Sequence, residues 1–130
     1  MSKKLGFTLV ELVIVIVIVG ILSVIAVLVY KGYVKKAMAS EAEGTLGAIN
    51  TAQKVYYAEH SCFLATAGEV SDNGTLDINL TSNKYFTSFQ IDTDTTGFTA
   101  ITEGVGGAVG ISVTLTGSDS GGARLIKNGV

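Results

Sequence analysis

The apolar residues of this chain are concentrated near its N-terminus. Residues 12–30 read LVIVIVIVGILSVIAVLVY and carry no charge, and only Gly20 and Ser23 interrupt the apolar run. A helix that crosses a bilayer needs about 20 such residues. The alternating valines and isoleucines alone would favour a strand. A single strand, however, would leave its backbone groups unpaired in hydrocarbon. The pattern therefore predicts a membrane-crossing helix.

After Tyr30 the pattern becomes that of an amphipathic helix. Apolar residues recur at helical spacing and form one stripe, with polar residues opposite. Glycines weaken this helix but do not separate it from the apolar run. We predict one helix from Phe7 to about His60, with an apolar half over 7–30 and an amphipathic half over 31–60. The stripe is Val34, Met38, Ala42, Leu46, Ile49, Ala52 and Tyr56, and the polar side is Lys35, Lys36, Glu43, Asn50 and Lys54.

From Ser61 onwards, Thr, Ser, Gly and Asp predominate, which indicates short strands and turns. We expect a connecting segment from Ser61 to Leu80, and residues 61–130 as a whole to form a loop and a small sheet. Short connections favour antiparallel pairing, with one face on the helix stripe and the other in water. The fold class is therefore α+β, one long N-terminal helix packed against a small antiparallel sheet. The predicted strands are 76–80, 85–91, 98–103, 110–116 and 123–127.

A single charged residue, Glu11, lies at the start of the apolar run. A cleaved secretory signal is one interpretation, but its apolar core is usually shorter, and the only suitable cleavage sequence, Ala37-Met38-Ala39, lies well beyond the run. An ordinary membrane anchor is another. Lysines lie at both ends of the run, so they do not choose an orientation, and an anchor leaves Glu11 without a role.

The residues Gly6, Phe7, Thr8, Leu9, Val10 and Glu11, after a short basic leader, closely resemble the N-terminus of type IV prepilins and pseudopilins. The resemblance covers about the first 35 residues. It implies that residues 1–6 are a leader, that a prepilin peptidase cuts between Gly6 and Phe7, and that Phe7 is then N-methylated. The implied partners are other copies of the chain, the peptidase and methyltransferase, the inner-membrane assembly machinery, and the membrane before assembly. The final location would be an extracellular pilus.

Electrostatics agree with this resemblance. Cleavage would create an ammonium group on Phe7, four residues before Glu11 and therefore on the same helix face. An unpaired charge is costly away from water, and the next basic residue is Lys31. Glu11 would thus need the amine of its own Phe7 or that of a neighbouring subunit, and the family implies the neighbour. A merely interfacial glutamate is the alternative.

Two features depart from the family pattern. Leu28 stands where many type IV pilins have a proline that is tied to a local loss of helix in filaments, which leaves Gly20 as the only obvious weak point. Many pilins also close a C-terminal loop with a disulfide. Here Cys62 is the only cysteine, so no disulfide can form within the chain.

The rest of the sequence gives little indication of a catalytic, metal-binding or nucleic-acid-binding site. The net charge of -2 does not suggest a nucleic-acid partner. His60 and Cys62 lack an orienting partner for catalysis, and with Glu59 they lack further metal ligands. We expect no cofactor and no catalytic or metal site. Tyr30 and Tyr33 are interpreted as interfacial anchors and Tyr56 and Tyr57 as packing residues. Five aspartates are interpreted as turn residues rather than calcium ligands, namely Asp72, Asp77, Asp92, Asp94 and Asp119. Two asparagines, Asn73 and Asn79, match the glycosylation pattern only weakly.

The sequence thus predicts a structural, filament-forming subunit, a major pilin rather than an enzyme. Two alternatives remain open: a pseudopilin of a secretion system, and a monomeric membrane-anchored binding module. Adhesion, motility, DNA uptake, conduction and secretion are all compatible with the motif.

Overall fold

The computed structural model describes residues 6–69, 76 and 78–130. The chain divides into one unit that ends at Val34 and a second, Lys35–Val130, which we call the head unit. The helix α1 spans Leu9–His60 and continues through Gly20 without a break. It ends where Ser61 adopts a left-handed conformation, with φ of 57°, and donates its N–H to the Tyr57 carbonyl at 2.8 Å. The long helix predicted from the sequence is confirmed, although it begins two residues later than expected.

In the part of the chain that the structure describes, five antiparallel strands follow the helix and pair in chain order as a meander. The strand β1 spans Thr66–Glu69, β2 spans Phe89–Thr93, β3 spans Gly97–Glu103, β4 spans Ser112–Ser118 and β5 spans Ala123–Asn128. A short 3-10 helix, Gly106–Ala108, lies between β3 and β4. The predicted α+β class and antiparallel pairing are confirmed. The third and fifth predicted strands are correct to within one residue.

The predicted strand over 76–80 is wrong. Leu76 lies in a turn and residues 78–80 have no regular structure, while Asp77 is outside the described residues. The apolar residues Leu76, Ile78 and Leu80 are nevertheless buried in the core. Their alternation reflects burial of a loop rather than strand pairing. Conversely, β1 lies within the segment that we expected to be a connection.

Two other strands start later than predicted, each for a local reason. Residues 85–88 lie outside β2, and the Tyr85 and Phe86 N–H groups are taken by a side chain of α1. Phe86 is fully buried, and Tyr85 is partly buried against the same core. The strand β4 begins at Ser112 rather than at 110, because Gly110 has φ of 86° and belongs to the preceding turn.

The core of the head unit lies between the second half of α1 and one face of the sheet. From the predicted helix stripe, Ala42, Leu46 and Ile49 are buried, and Met38, Ala52 and Tyr56 are partly buried against the same cluster. The sheet contributes Phe89, Ile91, Phe98, Ala100, Val113 and Leu115. Outward residues such as Gln90, Asp92, Thr116 and Arg124 are exposed. The expected division into a covered face and a solvated face is confirmed.

Aromatic side chains continue this core toward the end of the helix. The ring of Tyr57 stacks on Phe63 with centroids 4.6 Å apart, and Phe63 lies 5.4 Å from Phe98 of β3. The prediction that Tyr56 and Tyr57 pack against the head is therefore confirmed.

Polar side chains on the buried face of α1 bind the backbone of the loops that follow it. One Glu41 carboxylate oxygen accepts the N–H groups of Lys84, Tyr85 and Phe86 at 2.8, 2.7 and 3.0 Å. The fully buried Gln53 side chain donates to the Leu64 carbonyl at 2.8 Å and accepts the Leu64 N–H at 3.0 Å. These bonds satisfy backbone groups that no strand pairs. Neither role was predicted from the sequence.

Candidate processing and assembly site

Gly6 and Phe7 precede the helix and have no regular secondary structure. The Phe7 side chain is 87% exposed. A Cβ added at Gly6 would meet nothing within 4 Å. Among the described residues, nothing covers the two residues that flank the bond between Gly6 and Phe7, as a protease substrate requires. Its cleavage would leave a free amine on Phe7, directly before the first turn of α1.

The first turn of α1 is closed by a reciprocal hydrogen-bond pattern between Thr8 and Glu11. The Glu11 Oε2 accepts the Thr8 N–H at 2.9 Å and the Thr8 hydroxyl at 2.7 Å. In return, the Glu11 N–H donates to Thr8 Oγ1 at 3.3 Å. This is a capping box, in which Thr8 is the N-cap and Glu11 occupies the third helical position. It explains why the helix begins at Leu9 and not at Phe7.

The capping box adds a residue that the sequence analysis missed. We considered only the Phe7 amines as nearby partners for Glu11, but Thr8 supplies two neutral hydrogen-bond donors in the isolated chain. The signal was present as a threonine followed three residues later by glutamate. The cap satisfies carboxylate lone pairs without neutralising the charge. Glu11 is therefore held at the helix N-terminus.

Behind the cap, α1 presents an apolar surface on every side. The large apolar residues from Leu9 to Tyr30 are all exposed. A helix that is hydrophobic all round is normally covered by lipid or by protein. By length and composition, α1 is suited to cross a membrane once.

His60 and Cys62 lie at and just after the C-terminal end of α1. Cys62 is an exposed free thiol. The His60 ring stacks on Tyr56 with centroids 4.2 Å apart, and its Nδ1 lies 3.2 Å from the Tyr56 carbonyl oxygen. The structure, over the residues that it describes, contains no group of three or more His, Cys, Asp or Glu that could hold a metal ion.

The aspartates and asparagines fall partly outside the described structure. Asp94 accepts the N–H groups of Thr96 and Gly97 at 2.7 Å each, as expected for a turn residue. Asn79 accepts the Thr81 N–H at 3.0 Å in a local turn. Asp72, Asn73 and Asp77 lie outside the described residues.

Comparisons with known proteins agree with this arrangement. The family model described as "Prokaryotic N-terminal methylation motif" matches residues 1–27. The fimbrial protein EcpC of Eikenella corrodens is 37% identical over 109 residues, which cover 82% of this chain and 67% of that protein. The type IV major pilin protein PilA of Myxococcus xanthus is 40% identical over 68 residues, or 52% of this chain and 31% of that protein. No solved structure matches the chain.

A third relative, the type IV major alpha-pilin of Moraxella bovis, is 46% identical over 52 residues, which cover 40% of this chain and 33% of that protein. The chain thus spans about a third of the length of the Myxococcus and Moraxella relatives. The long helix, the small sheet and the N-terminal motif define a pilin-type subunit. The chain belongs to the type IV pilin family.

Proposed function

We propose that this chain is a major pilin, a structural subunit that polymerises through its N-terminal helix into an extracellular type IV pilus. The observation that carries this proposal is the exposed apolar surface of residues 9–30, headed by the capped glutamate. Such a surface is suited first to a bilayer and then to a bundle of identical helices. The names of the relatives, which are major pilins and fimbrial proteins, support it.

Processing would precede assembly. A prepilin peptidase would remove residues 1–6, and Phe7 would become the N-methylated terminus, at the cytoplasmic face of the inner membrane. The accessible bond between Gly6 and Phe7 supports this step. The mature subunit would remain anchored by the apolar half of α1 until the assembly machinery extracts it.

Assembly would then use Glu11. The cap already holds its carboxylate beside Thr8, the residue next to the future amine of Phe7. In a bundle of apolar helices, water would no longer solvate either charge, so pairing between Glu11 and the Phe7 amine of a neighbour would be favoured. The pairing would set the position of each new subunit relative to the last.

The two alternatives predict different fates for the chain. A pseudopilin would be processed at the same bond but would not give abundant surface fibres. A monomeric anchored module would stay in the membrane with its leader intact. The relatives' names favour neither of them.

The test is to shear surface fibres from the source cells and to analyse the N-terminal peptide of their subunit by mass spectrometry. We expect abundant fibres of this chain that begin with N-methyl-Phe7. Gly6→Val should accumulate uncleaved in the membrane, because the peptidase must approach the backbone where no Cβ is present. A wild-type chain that keeps Met1 and forms no fibres would refute the proposal.

A further inference from the structure

The exposed apolar side chains of the head unit are unevenly distributed. In the described part of this unit, only five large apolar residues are exposed, and two of them, Val105 and Val109, belong to the glycine-rich loop between β3 and β4. Val109 is the most exposed, at 72%. The full set is Val55, Val105, Val109, Ile126 and Val130.

This loop lies beside the first turns of α1 within the head unit. A Cβ built on Gly107 would be 3.4 Å from the terminal methyl group of Met38. On the other side of the loop, the backbone of Gly110 closely approaches that of Gly129. Lys35 Nζ donates to the Gly129 carbonyl at 3.2 Å. The loop and Lys35 therefore belong to the same end of the head unit.

The same end is also basic. Lys35 and Lys36 are both exposed, and the Lys36 side chain has no hydrogen bond or ion pair with another described residue. The nearby acid Glu41 is occupied by three backbone N–H groups. Glu103, at the end of β3, is the exposed carboxylate that borders the loop in sequence. We call the group Lys35, Lys36, Val105 and Val109 the valine–lysine surface.

The chain enters the head unit at Lys35, at the end of the unit that carries this surface. Lys35 follows Tyr30, the last residue of the apolar run, by five positions. Even a fully extended segment of that length reaches only about 18 Å. Apolar side chains next to lysines are the composition of protein surfaces that enter the lipid headgroup region.

We propose that, before assembly, the valine–lysine surface contacts the lipid bilayer in which the subunit is anchored. The valines enter the interfacial region, and the lysines contact anionic headgroups. This inference rests on the membrane anchoring in the proposed function. Because the anchor holds the head near the bilayer at a high effective concentration, a small apolar contact is sufficient. Extraction of a subunit into the filament then breaks this contact.

The chain contains no tryptophan, so a single Trp reports directly on lipid contact. Val109→Trp places the reporter in the loop, at a residue with the ordinary backbone angles φ −53° and ψ 133°. Val55→Trp is the matched control, because Val55 is 56% exposed and lies 20 positions after Lys35 on α1. Each full-length variant is reconstituted into phosphatidylglycerol-containing vesicles with brominated acyl chains. Flotation confirms that it is inserted.

We expect Val109→Trp to lose most of its emission to the brominated lipid and Val55→Trp to lose almost none. Adding Lys36→Gln to Val109→Trp should weaken the quenching in anionic vesicles and change it little in neutral ones. An inserted chain in which Val109→Trp is unquenched, or is quenched no more than Val55→Trp, overturns the inference alone. The inference is also overturned if the surroundings of the Val109→Trp side chain become apolar only when filaments form. The valine–lysine surface would then contact a second copy of the chain rather than lipid. A chain that does not insert contradicts the proposed function as well.

Discussion

The carboxylate of Glu11 accepts hydrogen bonds from both the N–H and the hydroxyl of Thr8, at 2.9 and 2.7 Å. One glutamate thus has two possible tasks, which are to cap its own helix and to carry a charge into the assembled filament. Because the cap uses neutral donors, it holds the carboxylate in place and leaves the charge for another partner. The two tasks can be separated by substitution.

Glu11→Gln should stop fibre formation while the helix start persists. The glutamine amide oxygen can still accept from Thr8, but the negative charge is lost. The Phe7 ammonium of a neighbour would then be buried without a partner, which is strongly unfavourable. We expect normal insertion and processing and a fibre yield lowered by about tenfold or more, measured as sheared fibres against the membrane pool.

Thr8→Ala is the matched control for that experiment. It removes the cap hydroxyl at a cost of about 1 kcal/mol in helix stability but keeps the charge of Glu11, so fibres should form nearly as in the wild type. Equal losses in the two variants would mean that the cap matters rather than the charge. Uncleaved Glu11→Gln in the membrane would instead place the role of Glu11 in processing.

Glu41→Ala should destabilise the head unit. It leaves the N–H groups of residues 84–86 without their acceptor, which we expect to cost roughly 2–4 kcal/mol. Glu43→Ala is the control, because the exposed ion pair of Glu43 with Lys127 at 2.7 Å should contribute less than about 1 kcal/mol. The two variants are compared by thermal unfolding of the detergent-solubilised chain, monitored by near-ultraviolet circular dichroism. Similar midpoints for the two variants would contradict the prediction.

Gln53→Met tests the other buried polar anchor. Methionine fills a similar volume but cannot bond the Leu64 backbone, so a partly buried N–H and a partly buried carbonyl both lose their partner. We expect a loss of about 2–4 kcal/mol in the free energy of unfolding. Lys54→Met, one residue further along α1 and exposed, should change it by less than about 0.5 kcal/mol. The free energies of unfolding of the two variants are compared by denaturant titration. If Gln53→Met were as stable as Lys54→Met, the hydrogen bonds between Gln53 and the Leu64 backbone would not be needed for stability.

Asp94 should make the β2–β3 turn sensitive to acid. Hydrogen bonds from the Thr96 N–H and hydroxyl, and then from the Gly97 N–H, lower the pKa of Asp94 below its ordinary value of 3.8. The folded chain therefore favours the ionised form. The stability that this provides is present above the ordinary pKa and is lost as the pH falls through the lower, folded value.

Asp94→Asn should accordingly lower the unfolding temperature at neutral pH, and its difference from the wild type should shrink below about pH 3.8. Asp92→Asn is the control, because the Asp92 side chain is exposed and has no hydrogen bond to another described residue. Its unfolding temperature should follow the wild type at each pH. A constant difference between Asp94→Asn and the wild type across the acid range would refute the assignment.

The sequence by itself determined the features that depend on local pattern. The helix could be predicted from the apolar run and from the stripe after Tyr30, and the family from the residues GFTLVE. Helical periodicity and a cleavage motif both depend on residues that are close together in the sequence. The strands β3 and β5 could be predicted because turn residues mark their ends. The positions of Gly6, Phe7 and Glu11 also follow from the motif, although their roles in processing and assembly remain predictions.

Only the tertiary structure decided where the backbone groups of the described residues between α1 and β2 bond. Leu76, Ile78 and Leu80 alternate like a strand, yet they fill the core from a loop, since burial and strand pairing leave the same pattern in a short segment. The Glu41 and Gln53 anchors join residues that are far apart in sequence or lie in irregular loops, so no local signal predicts them. Where β2 begins depends on a carboxylate more than forty residues earlier, which has already taken the N–H groups of Tyr85 and Phe86.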